Sequence, residues 1–398
     1  MDITIFPAKL SGKIRVIPSK SQAHRLLICA AFADSPTELC CPETNRDIEA
    51  TAFCLNALGA EIRRTKFGYQ VTPAKTIPEK AQLNCHDSGS TLRFLLPVAG
   101  ALGVDATFIL EGRLPSRPLS PLWEEMERMG CTLTWVAADK LRCQGQLHPG
   151  DYTIDGSVSS QFITGLLFAT ALIKGESHVC LTGKIESRPY ITMTQQAMAL
   201  FGVRCDDFIV KGGARFHSPG SIQVEGDWSN GAFFLAADAL GNNVAVDNLS
   251  MISPQGDRSV YDLLPRLKKN ITISAADIPD LVPILSVVAA CNQGAVFTDI
   301  RRLRLKESDR VASVVAMLNA LGGKADATED TLTVYGTGLV GGIVDAANDH
   351  RIAMSAAIAA SVCREKVTIL GAQCVEKSYP KFFEEYHRLG GNYEQYLR

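Results

Sequence analysis

The feature that most constrains the fold is a recurring segment with a polar head and an apolar tail. Copies begin at Ser21, Ser90, Ser160, Ser229, Asp280 and His350, so successive starts lie 69, 70, 69, 51 and 70 residues apart. The first copy, within Pro18–Phe32, runs from Ser-Lys-Ser-Gln-Ala-His-Arg into Leu-Leu-Ile-Cys-Ala-Ala-Phe. A helix that is apolar on nearly every side needs neighbours all around it, and Ser19 or Ser21 suits its N-cap. An amphipathic helix is predicted after each copy, over 47–58, 119–129, 191–201, 260–268, 309–321 and 381–389. Five of these end in an apolar residue followed by Gly59, Gly130, Gly202, Gly322 or Gly390, the expected left-handed helix stop. Short alternating or β-branched runs, such as 106–110, 331–334 and 366–370, read as strands between the helices. The unit is therefore strand–helix–strand–helix–strand, six times over.

A period near 70 residues exceeds that of the usual solenoid repeats. Closed domains follow, each packing three units with the buried helices at its centre. The break in spacing after Ser229 places a change of domain near Glu225–Asp227. A chain of 398 residues is long enough for such an arrangement.

Several function classes drop out. A net charge of −2 gives no general attraction to nucleic acid, so any basic site must be local. The twelve cysteines lie mostly in apolar runs and read as reduced thiols of a cytoplasmic protein. Cys40–Cys41 and Cys85–His86 lack a second ligand pair at zinc spacing, so no metal is expected. The N-terminus has no basic stretch followed by an apolar one, hence no secretory signal, and the apolar runs are too short to cross a bilayer. There is no P-loop and no Gly-x-Gly-x-x-Gly after a strand.

The polar heads differ from copy to copy, and they carry the chemistry. Lys20, Ser21 and Arg25 sit at the first helix start, where backbone N–H groups already favour an anion. Asp87-Ser88-Gly89-Ser90 is a small-residue turn able to cradle one. Ser159-Ser160-Gln161 offers neutral donors, and Asn348-Asp349-His350-Arg351 adds another cation. Arg117 and the segment Ser187-Arg188-Pro189-Tyr190 precede helices. If Arg304–Arg310 is helical, Lys306 and Arg310 share a face and repel unless an anion lies between them; the alternative is a solvated charge run laced by Glu307 and Asp309. With Lys377, seven cations suit small substrates bearing phosphate and carboxylate groups. Asp280 and Glu307 are the acids placed for proton transfer, and His24 reads as packing.

Nine motifs occur in one order along the chain. They are Ser19-Lys20-Ser21-x-x-x-Arg25, Asp87-Ser88-Gly89-Ser90-x-x-Arg93, Arg117-Pro118, Ser159-Ser160-Gln161-Phe162, Ser187-x-Pro189-Tyr190, Ile278-Pro279-Asp280, Lys306-Glu307-x-Asp309-Arg310, Asn348-Asp349-His350-Arg351 and Lys377-x-x-Pro380. The series resembles the 5-enolpyruvylshikimate-3-phosphate synthases, a family of enolpyruvyl transferases, over essentially the whole chain.

The resemblance implies a mixed α/β fold of the α+β type. Two similar domains, residues 1–19 with 228–398 and residues 20–227, would each hold three βαβαββ units around buried parallel helices, with the active site in the interdomain cleft. It implies a cofactor-free reaction of two small-molecule partners, phosphoenolpyruvate and shikimate 3-phosphate, on a monomer that closes as shikimate 3-phosphate binds. Asp280 would take the hydroxyl proton, while Glu307 and Lys20 would serve the methylene carbon. Ser21, Arg25, Ser159, Ser160, Ser187, Tyr190, Asp280, Arg302 and Lys306 would hold shikimate 3-phosphate. Lys20, Gly89, Ser90, Arg117, Gln161, Arg310, His350, Arg351 and Lys377 would hold phosphoenolpyruvate. Three departures stand out: Arg302 replaces a polar residue common in the family, the Glu111–Arg117 loop is short, and so is the fourth unit. The sister transferase acting on UDP-N-acetylglucosamine relies on a cysteine in that loop, and Glu-Gly-Arg-Leu-Pro-Ser-Arg has none. A non-catalytic binding relative would be expected to lose Asp280 or Glu307, and both are present.

Overall fold

The structure, a computed structural model, describes residues 1–213 and 215–396. Apolar helices form at all six repeats: α1 (Lys20–Ala31), α3 (Gly89–Leu102), α5 (Ser160–Leu172), α7 (Trp228–Ala239), α9 (Val282–Ala290) and α11 (His350–Ala360). Their amphipathic partners are α2 (Arg46–Ala57), α4 (Leu122–Arg128), α6 (Arg188–Leu200), α8 (Val260–Arg266), α10 (Arg310–Ala320) and α12 (Phe382–Arg388). Every residue of α9 and α11 is buried, as a helix without a polar face requires. The side chains of Ser19, Ser88, Ser159, Asp227 and Asp349 accept hydrogen bonds from backbone N–H groups in the first turns of α1, α3, α5, α7 and α11. Each such cap is worth about 1 kcal/mol. The helix α9 alone in this set has no side-chain cap.

Among the described residues five sheets have four strands and one has two. In the unit containing α3 and α4, Lys80–His86 runs parallel to Asp105–Leu110 across α3. Lys140–Gly145 then pairs antiparallel with Asp105–Leu110, and Cys131–Ala137 lies on the edge. The unit is thus βαβαββ, one strand more than periodicity alone suggested. The extra strand is a hairpin partner whose exposed positions blur the apolar alternation, as in Cys131–Ala137. The fourth unit has only Ser11–Arg15 and Asn243–Asp247 in its sheet, so the missing hairpin accounts for its shorter spacing. The N-terminal strand Asp2–Phe6 completes the last unit, between Val367–Leu370 and Asn392–Tyr396.

The chain divides into two compact units, Met1–Ile17 with Gly226–Arg398, and Pro18–Glu225. Each has its own apolar core. In the first unit α7, α9 and α11 pack on one another. In the second, α3 and α5 come close because Gly165 has no side chain: a Cβ there would collide with the Arg93 carbonyl oxygen. His24 is buried in the second unit, with Nδ1 2.7 Å from Thr51 Oγ1, and the hydroxyl chain continues through Thr91 to the cap Ser88. It packs edge-on against Phe94. Among the described residues no helix is long and apolar enough to cross a membrane, and all twelve cysteines are free thiols.

Candidate active site

The absence of a cap on α9 leaves Asp280, two residues upstream, available to other groups. In the first unit it accepts hydrogen bonds from Arg310 Nη1 at 2.7 Å and Arg351 Nη2 at 3.3 Å, and Lys306 Nζ lies 3.9 Å away. Arg310, 1% exposed, also donates from Nη2 to Glu307 Oε2 at 3.0 Å and from Nε to Asp349 Oδ2 at 2.9 Å. Asp349 receives the Ser308 hydroxyl as well and caps α11 through the Arg351 N–H. Three cations therefore face three carboxylates. This pairing is what lets such charges be buried, and an incoming anion must compete with a carboxylate already in place.

The acids are tuned by this arrangement. Burial alone would raise the Asp280 pKa, but Arg351, Lys306 and Arg310 outweigh it and hold the carboxyl well below its usual range. Burial lowers Lys306 to about 8, against the pull of Asp280 and with help from the Arg310 and Arg302 charges. Asp257 is 1% exposed and accepts a hydrogen bond from the Ser229 hydroxyl. Burial, followed by the Asp280 charge, pushes it up to about 7.

The Lys306–Arg310 stretch is not one helix. Lys306 follows the 3-10 turn Arg301–Leu305 in extended backbone, and α10 begins at Arg310 behind its cap Asp309. The two cations reach Asp280 from separate elements, and the anion between them is that carboxylate. Arg302, half-buried in the 3-10 turn, is close enough for its charge to act on Lys306. His350 opens α11 and is buried. Lys377, also buried, ends the 3-10 helix Ala372–Lys377.

The second unit holds the remaining candidates. Lys20 Nζ pairs with Asp47 Oδ2 at 2.9 Å. Arg25 is 2% exposed, lies over the Phe94 ring, and donates to the carbonyls of Ser21 and Tyr190 and to the Thr194 hydroxyl. It thereby ties the start of α1 to the start of α6. Ser187, just before α6, takes left-handed backbone with φ 54 and is buried. Ser159 caps α5 and Ser160 is its first residue. Gln161 donates to Ser90 Oγ at 2.9 Å and accepts from Arg93 Nη1 at 3.2 Å. At Gly89 a Cβ would stand 2.7 Å from both Arg117 Nη1 and Arg93 Nη1, so two guanidinium groups converge on a bare backbone. That is a geometry suited to phosphate.

Asp47, Arg93, Asp257 and Asp349 join the sequence candidates only through the contacts that the fold gives them. Arg93 and Asp349 stand inside motifs that could have flagged them. Asp47 and Asp257 carry no local signal and enter through the partners that folding brings to them.

A sequence model of EPSP synthase, 3-phosphoshikimate 1-carboxyvinyltransferase, matches residues 6–386. A 3-phosphoshikimate 1-carboxyvinyltransferase of Clostridium beijerinckii is 35% identical over 99% of this chain and 99% of its own length. One of Clostridium acetobutylicum is 36% identical over 99% and 98%. Among solved structures, EPSP synthase from Acinetobacter baumannii superposes with a TM-score of 0.80 at 24% identity, covering 99% of this chain and all of the other. The enolpyruvyl transferase NikO of Streptomyces tendae gives 0.78 at 17% identity, over 99% and 98%. At such identities the two structures attest the two-domain enolpyruvyl transferase fold.

Proposed function

This chain belongs to the EPSP synthase family, and from that premise we infer that it transfers the enolpyruvyl group of phosphoenolpyruvate to the 5-hydroxyl of shikimate 3-phosphate, releasing phosphate. The observation that carries the site assignment is the Arg310 guanidinium, which holds Asp280 at one end and Glu307 at the other.

In the proposed reaction the 5-hydroxyl oxygen attacks C2 of phosphoenolpyruvate while C3 gains a proton. The tetrahedral adduct then loses phosphate and a C3 proton, leaving the enolpyruvyl ether. Asp280 takes the hydroxyl proton, and Glu307 with Lys20 serves C3. At rest Asp280 is a poor base, because three cations stabilise its ionised form. Phosphoenolpyruvate bears a carboxylate and a phosphate, and when these draw on Arg310 and Arg351, Asp280 loses counter-charge and its proton affinity rises. The substrate itself turns on the base. His350 and Lys377 are assigned to the same ligand.

In the second unit, Gly89, Ser90, Gln161, Arg117 and Arg93 are assigned to the phosphate of phosphoenolpyruvate. Ser21, Ser159, Ser160, Ser187 and Tyr190 are assigned to shikimate 3-phosphate, together with Lys306 and Arg302 of the first unit. Arg25 serves this set by holding the Ser21 and Tyr190 carbonyls. We place the enzyme in the cytoplasm, where its thiols stay reduced, and take it to act as a monomer. The test is phosphate release from phosphoenolpyruvate. It should require shikimate 3-phosphate, and release supported by UDP-N-acetylglucosamine instead would overturn the assignment.

A further inference from the structure

A second cluster of ligating side chains lies in the unit Pro18–Glu225, on the sheet that carries α5 and α6. Its first two strands, Asp151–Asp155 and Glu176–Thr182, run parallel, with Asp151 directly opposite His178. Ser177 and Val179 point into the core, so His178 and Cys180 share the opposite face. Asp151 joins them there. Cys180 Sγ stands 3.2 Å from His178 Nδ1, and His178 Nδ1 stands 3.9 Å from Asp151 Oδ1. The three ligand atoms all lie within 4.8 Å of one another.

Those separations are close to what one ion requires. With zinc about 2.3 Å from sulfur and about 2.0–2.1 Å from nitrogen and oxygen, the edges of a tetrahedron are roughly 3.3–3.6 Å. The two separations from His178 stand within about half an ångström of those edges, and rotation of the exposed Asp151 carboxylate closes the third, from Asp151 to Cys180. The donors are a thiol, an imidazole and a carboxylate, a combination that favours zinc and its neighbours over magnesium or calcium. The site is open to entry, with the Asp151 and His178 side chains 78% and 42% exposed. We propose that Asp151, His178 and Cys180 form a binding site for a single divalent ion of the zinc class, with water completing a four-coordinate shell.

Charge around the site works in the same direction. The Asp151 and Glu125 carboxylates both act on Cys180, so the site lies in negative potential. A dication among them reverses that balance, and the thiol proton leaves to solvent as the sulfur binds. Glu125 is itself engaged by Arg128 and the Thr153 N–H, which leaves Asp151 as the carboxylate ligand. The sheet, rather than any local spacing, assembles the set: Asp151 lies far from His178 and Cys180 along the chain.

The test is titration of the full chain with Co²⁺ under anaerobic conditions. One equivalent should produce a near-ultraviolet thiolate-to-cobalt band with tetrahedral visible bands, and Zn²⁺ should displace them. Cys180→Ser should abolish the near-ultraviolet band. His178→Gln and Asp151→Asn should each weaken binding by at least about tenfold, since even partners behind metal ligands are worth about 10- to 100-fold. Asp151 is exposed and its variant poses no threat to folding. No band at one equivalent would overturn the proposal. So would a band that survives Cys180→Ser, because Cys40 or Cys291, the other half-buried thiols, would then be its source.

Discussion

Arg310 Nη1 donates to Asp280 Oδ1 at 2.7 Å, within a guanidinium that also engages Glu307 and Asp349. The proposed base is therefore neutralised by a group that phosphoenolpyruvate must claim. A base restrained this way has one proton affinity in the free enzyme and another in the complex.

The acid limbs of the two kinetic profiles should accordingly separate. In the free enzyme Asp280 is held well below the ordinary value of about 3.9, so it stays ionised as pH falls and kcat/KM keeps its acid side at low pH. In the complex the cations turn toward substrate, the pKa rises, and the acid limb of kcat moves to higher pH. Coincident limbs would end the idea of a substrate-activated base. Asp280→Asn should lower kcat by about 100-fold or more, as loss of a general base does.

Lys306 offers a thermodynamic test. Its pKa is lowered to about 8 in the unliganded protein, and a bound anion favours the charged form. Above pH 8 the free enzyme is partly deprotonated there, so shikimate 3-phosphate should bind with proton uptake. Calorimetry at pH 8.5 in buffers of different ionisation enthalpy measures this. Lys306→Arg, which stays charged, should bind without the uptake, and equal uptake in both proteins would clear Lys306 of the role.

Gly89→Ala adds a methyl 2.7 Å from Arg93 Nη1 and Arg117 Nη1. Both contacts are the far ends of flexible side chains, so the fold should adjust and Tm should hardly move. The displaced guanidinium groups should raise KM for phosphoenolpyruvate by about tenfold, about 1.4 kcal/mol, with KM for shikimate 3-phosphate little changed. A fall in Tm with unchanged KM would show that the pocket is structural.

Lys20→Met should abolish turnover and also lower Tm by a few degrees, because Asp47, itself buried, loses its ion pair. For a partly exposed pair about 1 kcal/mol, or about 2–4 °C, is reasonable. The double variant Lys20→Met with Asp47→Asn should regain the Tm and none of the activity. Recovery of activity in the double variant would remove Lys20 from the chemistry.

The repeats were legible in the sequence because each buried helix declares itself by having no polar side, and because glycine marks most helix ends. Ser19, Ser88 and Ser159 cap where hydroxyls precede apolar runs. The full set of hairpin strands was not legible: Thr331–Tyr335 shows alternation, but the exposed face of Cys131–Ala137 carries none, and in the last unit the added strand comes from the N-terminus instead. A helix through Arg304–Arg310 would make Lys306 and Arg310 neighbours on one face, and the structure has none there. Asp309, a cap in the middle of the charged run, was the residue that should have broken it.

By itself the sequence determined the six-fold architecture and the change of spacing at the fourth unit, and it named the acids and cations proposed for the site. Hydrophobic periodicity and capping are local, and so can be read along the chain. Which carboxylate each cation meets was decided by tertiary structure alone. Asp280 opens the fifth repeat and Arg310 starts its second helix, Arg351 comes from the sixth, and Ser90 and Gln161 come from the second and third; only packing of the helices sets those distances. The same is true of Asp151 beside His178 and Cys180, which a parallel strand register places on one face.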